Sequence, residues 1–355
     1  MMKKNFLFML LLICMLGGCK DEKHDSVLNL FSESQQLFQE KENLIKDEFL
    51  AVIEGMTCNE EYLIVYDLHS GDSYTLFDRK TGAYITRFGT IGQGPGEIPA
   101  GCYGYMLNKC FSVFDNQTRV VMKYKLDALR SDKTDGGNPV RLTKYDIPDS
   151  QISRLIAIDD STFLGAGTYQ SRYQYLLFNK NSDVLDYGVD IYNASDESFN
   201  QYTKYLSNQG DLVMQPEKKF FAYSLNFSSN LDIIENINGK IKLKKSLRFG
   251  NPIYKPGAEA DGLYQSVDMT EDTQVGYINL CATTKYLYAL YSDKKIYENG
   301  RKSNLVLVFD WEGNAIRKYL LDADAHYIAV DEIGQKIFAA VKNTEGGWSI
   351  ASYVL

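Results

Sequence analysis

Histidine is scarce in this chain, and the shortage removes much hydrolytic chemistry at the outset. Three histidines occur in 355 residues, at positions 24, 69 and 326. None stands in an H-E-x-x-H pair or a cysteine–histidine cluster, and no G-x-S-x-G elbow is present. Basic clusters are missing too. The formal net charge is −8, and phosphate binding needs a basic face, so nucleic acid is not an expected partner. Lys240, Lys242, Lys244 and Lys245 alternate as one solvated edge strand would. No cysteine spacing suits zinc and no Asp-x-Asp-x-Asp run suits calcium, so neither metal nor cofactor is expected. The N-terminal apolar run, Phe6 to Leu16, has 11 residues, well short of the roughly 20 that span a bilayer.

Aromatic residues are plentiful instead. There are 26 Tyr and 18 Phe, and both favour strands. They fall in short apolar segments separated by turns, and the arrangement repeats. Phe49–Ile53, Tyr62–Tyr66, Ser73–Phe77 and Tyr84–Phe88 form a first set of four predicted strands. Equivalent sets follow, and their second strands begin near residues 61, 110, 162, 219, 286 and 336. A period near 50 with four strands per unit is the grammar of a β-propeller. The third-to-fourth strand turn repeats chemically as Phe77-Asp78…Gly82, Phe178-Asn179…Asp183 and Phe309-Asp310…Gly313. Asx residues supply the tight turn, and the preceding Phe is expected to face the next blade.

The fold expected is therefore all-β: a six-bladed β-propeller with four strands per blade, spanning 27–355. The last set stops after three strands, at His326–Val330, Lys336–Val341 and Ser349–Val354. An open edge there would invite aggregation. Either Val27–Phe31 or Gln36–Phe38 is expected to return and complete the sixth blade.

Residues 1–18 have the form of a targeting segment, with Lys3 and Lys4 ahead of the apolar run. They end in Leu16-Gly17-Gly18-Cys19, which resembles the lipobox of bacterial lipoproteins. The resemblance implies lipidation at Cys19 and attachment to the membrane through acyl chains; an ordinary secretory signal is the alternative. Residues 19–26 then form a charged tether, and Lys20-Asp21-Glu22 resembles the surface-export signal of Bacteroidetes lipoproteins. An outer-membrane lipoprotein, exposed on the cell surface or facing the periplasm, is the expected address. Four cysteines remain beyond it, and Cys102 and Cys110 are close enough to bridge or else to stay as buried thiols.

After the first strand set the chain runs Gly92-Gln93-Gly94-Pro95-Gly96-Glu97. Together with the lipobox, this loop resembles the TolB-like six-bladed propeller lipoproteins of Bacteroidetes, related to NHL-repeat propellers. The likeness implies a fold and an address but little chemistry. The loop itself reads as a shaped crossing between blades, with Glu97 accepting backbone N–H bonds, or less readily as an anion cradle.

Long loops gather on one face of such a ring: Gly89–Gly101, Tyr192–Asn208, Gly250–Thr273 and Ser292–Ser303. Long loops in compact repeats tend to carry function. The candidate ligand-binding residues there are Tyr202, Tyr254, Tyr264, Tyr297, Trp348 and Glu97, since aromatic rings bury area at low entropic cost. No catalytic residue is singled out. The expected function is a non-enzymatic, monomeric binder of a glycan, a peptide or an envelope protein. The alternative is a glycan hydrolase or lyase with carboxylates lining the channel.

Overall fold

The computed structural model describes residues 26–40, 44–45, 48–68, 71–94, 96–99, 103–130, 138–260 and 263–355, with backbone alone at 263 and 264. A short strand β1 (Gln35–Leu37) precedes four separate four-stranded antiparallel sheets. The first holds β2 (Ile53–Cys58), β3 (Tyr62–Asp67), β4 (Asp72–Asp78) and β5 (Tyr84–Thr90). The second holds β6 (Tyr103–Leu107), β7 (Cys110–Asp115), β8 (Val120–Lys125) and β9 (Val140–Lys144), with helix α1 (Leu126–Arg130) between the last two. The third holds β10 (Ser150–Ala157), β11 (Thr162–Tyr169), β12 (Tyr173–Asn179) and β13 (Val184–Asp190). Helix α2 (Gln201–Ser207) leads to the fourth, β14 (Gly210–Met214), β15 (Phe220–Leu225), β16 (Leu231–Ile237) and β17 (Lys240–Leu247).

Two small ladders follow, β18 (Tyr254–Pro256) with β21 (Val267–Met269) and β19 (Glu259–Ala260) with β20 (Leu263–Tyr264). The chain ends in a seven-stranded sheet made of β1, β22 (Gln274–Ala282), β23 (Tyr286–Lys295), β24 (Ser303–Asp310), β25 (Ala315–Asp331), β26 (Lys336–Lys342) and β27 (Trp348–Val354).

The molecule is an all-β propeller. Second strands are mostly buried, and Tyr62–Asp67 and Phe220–Leu225 are so along their whole length, because a sheet covers each face. Fourth strands such as β13 are largely exposed. Apolar clusters lie between neighbouring sheets. Phe114 and Val121 of the second sheet pack with Phe163 and Phe178 of the third. Phe77 and Leu63 of the first pack with Phe338 and Ile350 at the chain's end. The turn phenylalanines thus face the preceding sheet, where the sequence pattern had placed them against the next. The Asx turns form as expected: Oδ1 of Asp78 accepts from Lys80 and Thr81, and that of Asp310 from Glu312 and Asn314.

Three predicted segments differ from the fold. The opening strand is Ile53–Cys58 instead of Phe49–Ile53, because Phe49 is exposed while Ile53 and Met56 are buried. Ala315–Leu320 and His326–Val330 are one strand, β25, whose first half pairs with β24 and second half with β26. The insertion Gly250–Thr273 is an ordered pair of ladders, not a floppy loop.

The N-terminal segment does return to the chain's end. Gln35–Leu37 runs parallel to Tyr319–Leu321, and Gln39 bridges Tyr353 of β27. The amides of Glu40 and Leu44 donate to the carbonyls of Ser352 and Ile350. The closing segment is the one around Gln36. Val27–Leu30 instead forms a short 3-10 turn, and Val27 and Phe31 are buried against Phe309 and its neighbours, between the fourth sheet and the first half of the last. Lipidation at Cys19, tether residues 19–25 and Cys102, one half of the Cys102–Cys110 pair, fall outside the described residues.

Candidate functional site

The first strand of each set faces the middle of the ring. β2, β6, β10, β14, β22 and the second half of β25 adjoin one another in turn and return to β2. They enclose a cavity of about 830 Å³. One end is lined by Tyr103 and Arg154 and by loop residues including Tyr205, Phe227, Met269 and Arg301. The other is lined by tight-turn residues such as Asn59, Glu61, Lys109 and Glu332.

Sheet-to-sheet bonds make the wall stiff. The Tyr66 hydroxyl donates to the Gly104 carbonyl at 2.7 Å, and the Tyr105 hydroxyl to that of Met214. Burial pushes both phenols above their ordinary range. Asn279 exchanges two hydrogen bonds with the Ile328 backbone. A buried ion pair between Arg79 and Asp331 joins the first sheet to the last. Cys58 and Cys281 are free thiols on the wall. Burial pushes Cys58 up to about 12, against the pull of Arg79.

The polar focus is Arg154, the fifth residue of β10. Its guanidinium lies over the Tyr103 ring, 3.5 Å from the centroid. Nη1 donates to the Ser153 carbonyl at 3.0 Å. Nε is buried without a hydrogen-bond acceptor, and the Oδ1 of Asp211 stands 3.8 Å away. Burial opposes the charge of Arg154, but Tyr103, Asp211, Tyr223 and Tyr205 outweigh it and raise its affinity for the proton. Asp211 accepts the amides of Leu212 and Leu280 at 3.1 and 2.8 Å. Burial nonetheless raises its carboxyl above the ordinary value, against the pull of Arg154. Tyr327 is pushed up to about 12 chiefly by burial, with Tyr103 and Glu54 adding to the rise and Arg301 and Arg154 opposing it.

The aromatic residues expected to bind ligand are not brought together here. Tyr202 is 43% exposed and stacks on Tyr205, which does line the cavity. Tyr254 sits one layer behind the wall, its ring edge-on to Phe227 at 6.1 Å and its hydroxyl buried. It is therefore not the free loop ring that the pattern of Gly250–Thr273 implied. Tyr264 pairs with Glu259 through its backbone. Tyr297 is 72% exposed. Trp348 opens strand β27 instead of lying in a loop, packed between His326 and the Lys342 ammonium. Oε2 of Glu97 accepts the Gly94 amide at 2.7 Å. A Cβ at Gly92 would meet that oxygen at 2.0 Å, so the loop is the shaped crossing expected of it. The mouth residues Tyr103, Arg154 and Arg301 escaped sequence reasoning, whereas Tyr205 belongs to the tyrosine-bearing loop Tyr192–Asn208 that it had marked. The one signal was an arginine inside the apolar run Ile152–Ile158.

This architecture defines the protein as a β-propeller with an open, mixed-charge central channel. The sequence profile of the TolB-like 6-blade propeller-like family matches residues 30–333, and the chain belongs to that family. Its fold is similar to that of a protein from Bacteroides fragilis described as exported, at 14% identity and TM-score 0.50, covering 89% of this chain and 93% of that one. It is also similar to a member of the DUF4221 family from Bacteroides vulgatus, at 12% identity and TM-score 0.53, covering 90% and 96%. No curated protein matches the sequence.

Proposed function

We propose that this protein is a lipid-anchored, non-enzymatic propeller of the bacterial envelope that binds its ligand in the central channel, entering from the long-loop face. The observation that carries this reading is the cavity of about 830 Å³, whose mouth presents an unsaturated arginine among tyrosines. Concave sites of this size with a few convergent polar groups suit small ligands or the end of a glycan or peptide. The ring counts six blades: the four separate sheets and the two halves of the seven-stranded sheet, which share β25 and are completed by the N-terminal segment. The ring of six inner strands and the family's description support that count. The binder is favoured over a glycan-cleaving enzyme because two wall carboxylates are already committed. Asp211 holds two backbone amides, and Asp331 holds Arg79 and the Gly334 amide.

Asn116 is exposed at the mouth near Tyr205, so Asn116→Trp should plug the channel without disturbing the core. Ligands found by thermal shift with the full chain should lose at least tenfold in affinity to that variant while its melting temperature holds. Undiminished binding would place the site elsewhere. The envelope address rests on the N-terminal segment and on the exported relative. Because acyl chains at Cys19 are the proposed anchor, Cys19→Ser should release the protein from the membrane fraction in cell fractionation. A variant still wholly membrane-bound in salt would refute lipid anchoring there.

A further inference from the structure

We infer that the channel ligand carries a carboxylate, received by the Nε–Nη2 edge of Arg154. This rests on the channel being the binding site. Nη1 is occupied by the Ser153 carbonyl, while Nη2 has no hydrogen-bond partner among the described residues and Nε is buried without one. The side chain is 17% exposed, and the Tyr103 ring beneath it fixes the guanidinium plane. Two parallel N–H groups on one edge of a fixed plane match the two oxygens of a carboxylate. A buried donor without an acceptor is costly, and native proteins rarely leave one unless something fills it.

Asp211 does not fill that role. Its oxygens already accept two amides, and at 3.8 Å it is beyond hydrogen-bond distance of Nε. It does set the charge the site tolerates. A multiply charged group such as phosphate would be repelled strongly by Asp211 beside Nε, whereas a singly charged carboxylate would feel less repulsion. Arg301, at the mouth with no hydrogen bond or ion pair among the described residues, adds a second positive charge along the entry path. Glu54, equally unpaired, lines the same cavity and offers an acceptor to hydroxyl or amine donors on the ligand. The occupant is thus a small organic acid that also carries hydrogen-bond donors. Sugar acids and amino-acid derivatives share that chemistry.

The test is isothermal titration calorimetry on the full chain with matched pairs: glucuronate against glucose, and N-acetyl-phenylalanine against its amide, with inorganic phosphate as a further probe. At least one acid should bind ten times or more tightly than its neutral partner, and which pair responds identifies the source. Arg154→Gln should abolish the preference. Arg154→Lys, which keeps the charge but loses the fork, should weaken acid binding at least fivefold and decides the matter if the glutamine variant does not fold. Equal affinity of acid and neutral partners, tighter binding of phosphate, or unchanged acid binding in both variants would overturn the carboxylate assignment. Neutral probes binding alone, and lost in Asn116→Trp, would do so while leaving the channel reading intact. If no probe binds, both fall.

Discussion

Tyrosines on the channel wall and tyrosines on the rim outside it behave differently. Tyr66 and Tyr105 are bound to the carbonyls of neighbouring sheets, and their rings pack in the core clusters. Tyr202 and Tyr297 face solvent, Tyr297 the more exposed of the two. Between these extremes lie Tyr103 and Tyr205, which face the cavity and are neither core nor free. The difference teaches that position in the ring decides what a tyrosine does. Wall residues are held by contacts to two sheets, so they shape a site. Rim residues gain nothing from the ring and can be lost cheaply.

Charge pairs offer the sharpest way to break that contrast. Arg79 and Asp331 are both buried, and each comes from a different end of the sequence. Arg79→Met would leave the Asp331 carboxylate buried and unpaired, and should cost about 3–5 kcal/mol in urea unfolding. Arg172→Met removes a pair to Asp190 on the rim, where both partners are at least half exposed, and should leave the transition unmoved. Equal losses would mean that the rim is as integral as the wall.

A smaller effect tests the boundary between the two regions. His326 lies edge-on to Trp348 at 4.8 Å. Burial lowers its affinity for protons, Lys302 and Lys342 lower it further, and Asp324 opposes them. The folded chain therefore takes up its proton at lower pH than the unfolded one, whose value is near 6.5. Between the two values the unfolded state binds more protons, so stability is fully present above 6.5 and declines as pH falls below it. Melting curves from pH 8 to 5 should show this decline, and His326→Gln should flatten it. An identical decline in the variant would assign the effect to other groups.

Much of the scaffold was legible because its causes are local. The Asx turns at Asp78, Asn179 and Asp310 close within four residues, each by side-chain-to-backbone hydrogen bonds that the sequence displays directly. The crossing at Gly92–Glu97 is similarly self-contained. The candidate site was not legible in that way. Arg154 reads as one charge in an apolar run, and only its place on the innermost strand of the third sheet puts it over Tyr103, whose strand belongs to the second. Tyr254 was misplaced for the same reason, since Phe227 against it comes from the preceding sheet.

The sequence by itself determined the strand repeat, the turns and the propeller class, because alternation and turn chemistry act over a few neighbouring residues. Tertiary structure alone decided which residues meet at the closing seam and what faces the channel. Gln35 pairs with Tyr319 and Arg79 with Asp331, contacts between residues more than 250 positions apart. Nothing in a local pattern selects such partners. They are chosen when burial of the inter-sheet clusters brings both ends of the chain to the same seam.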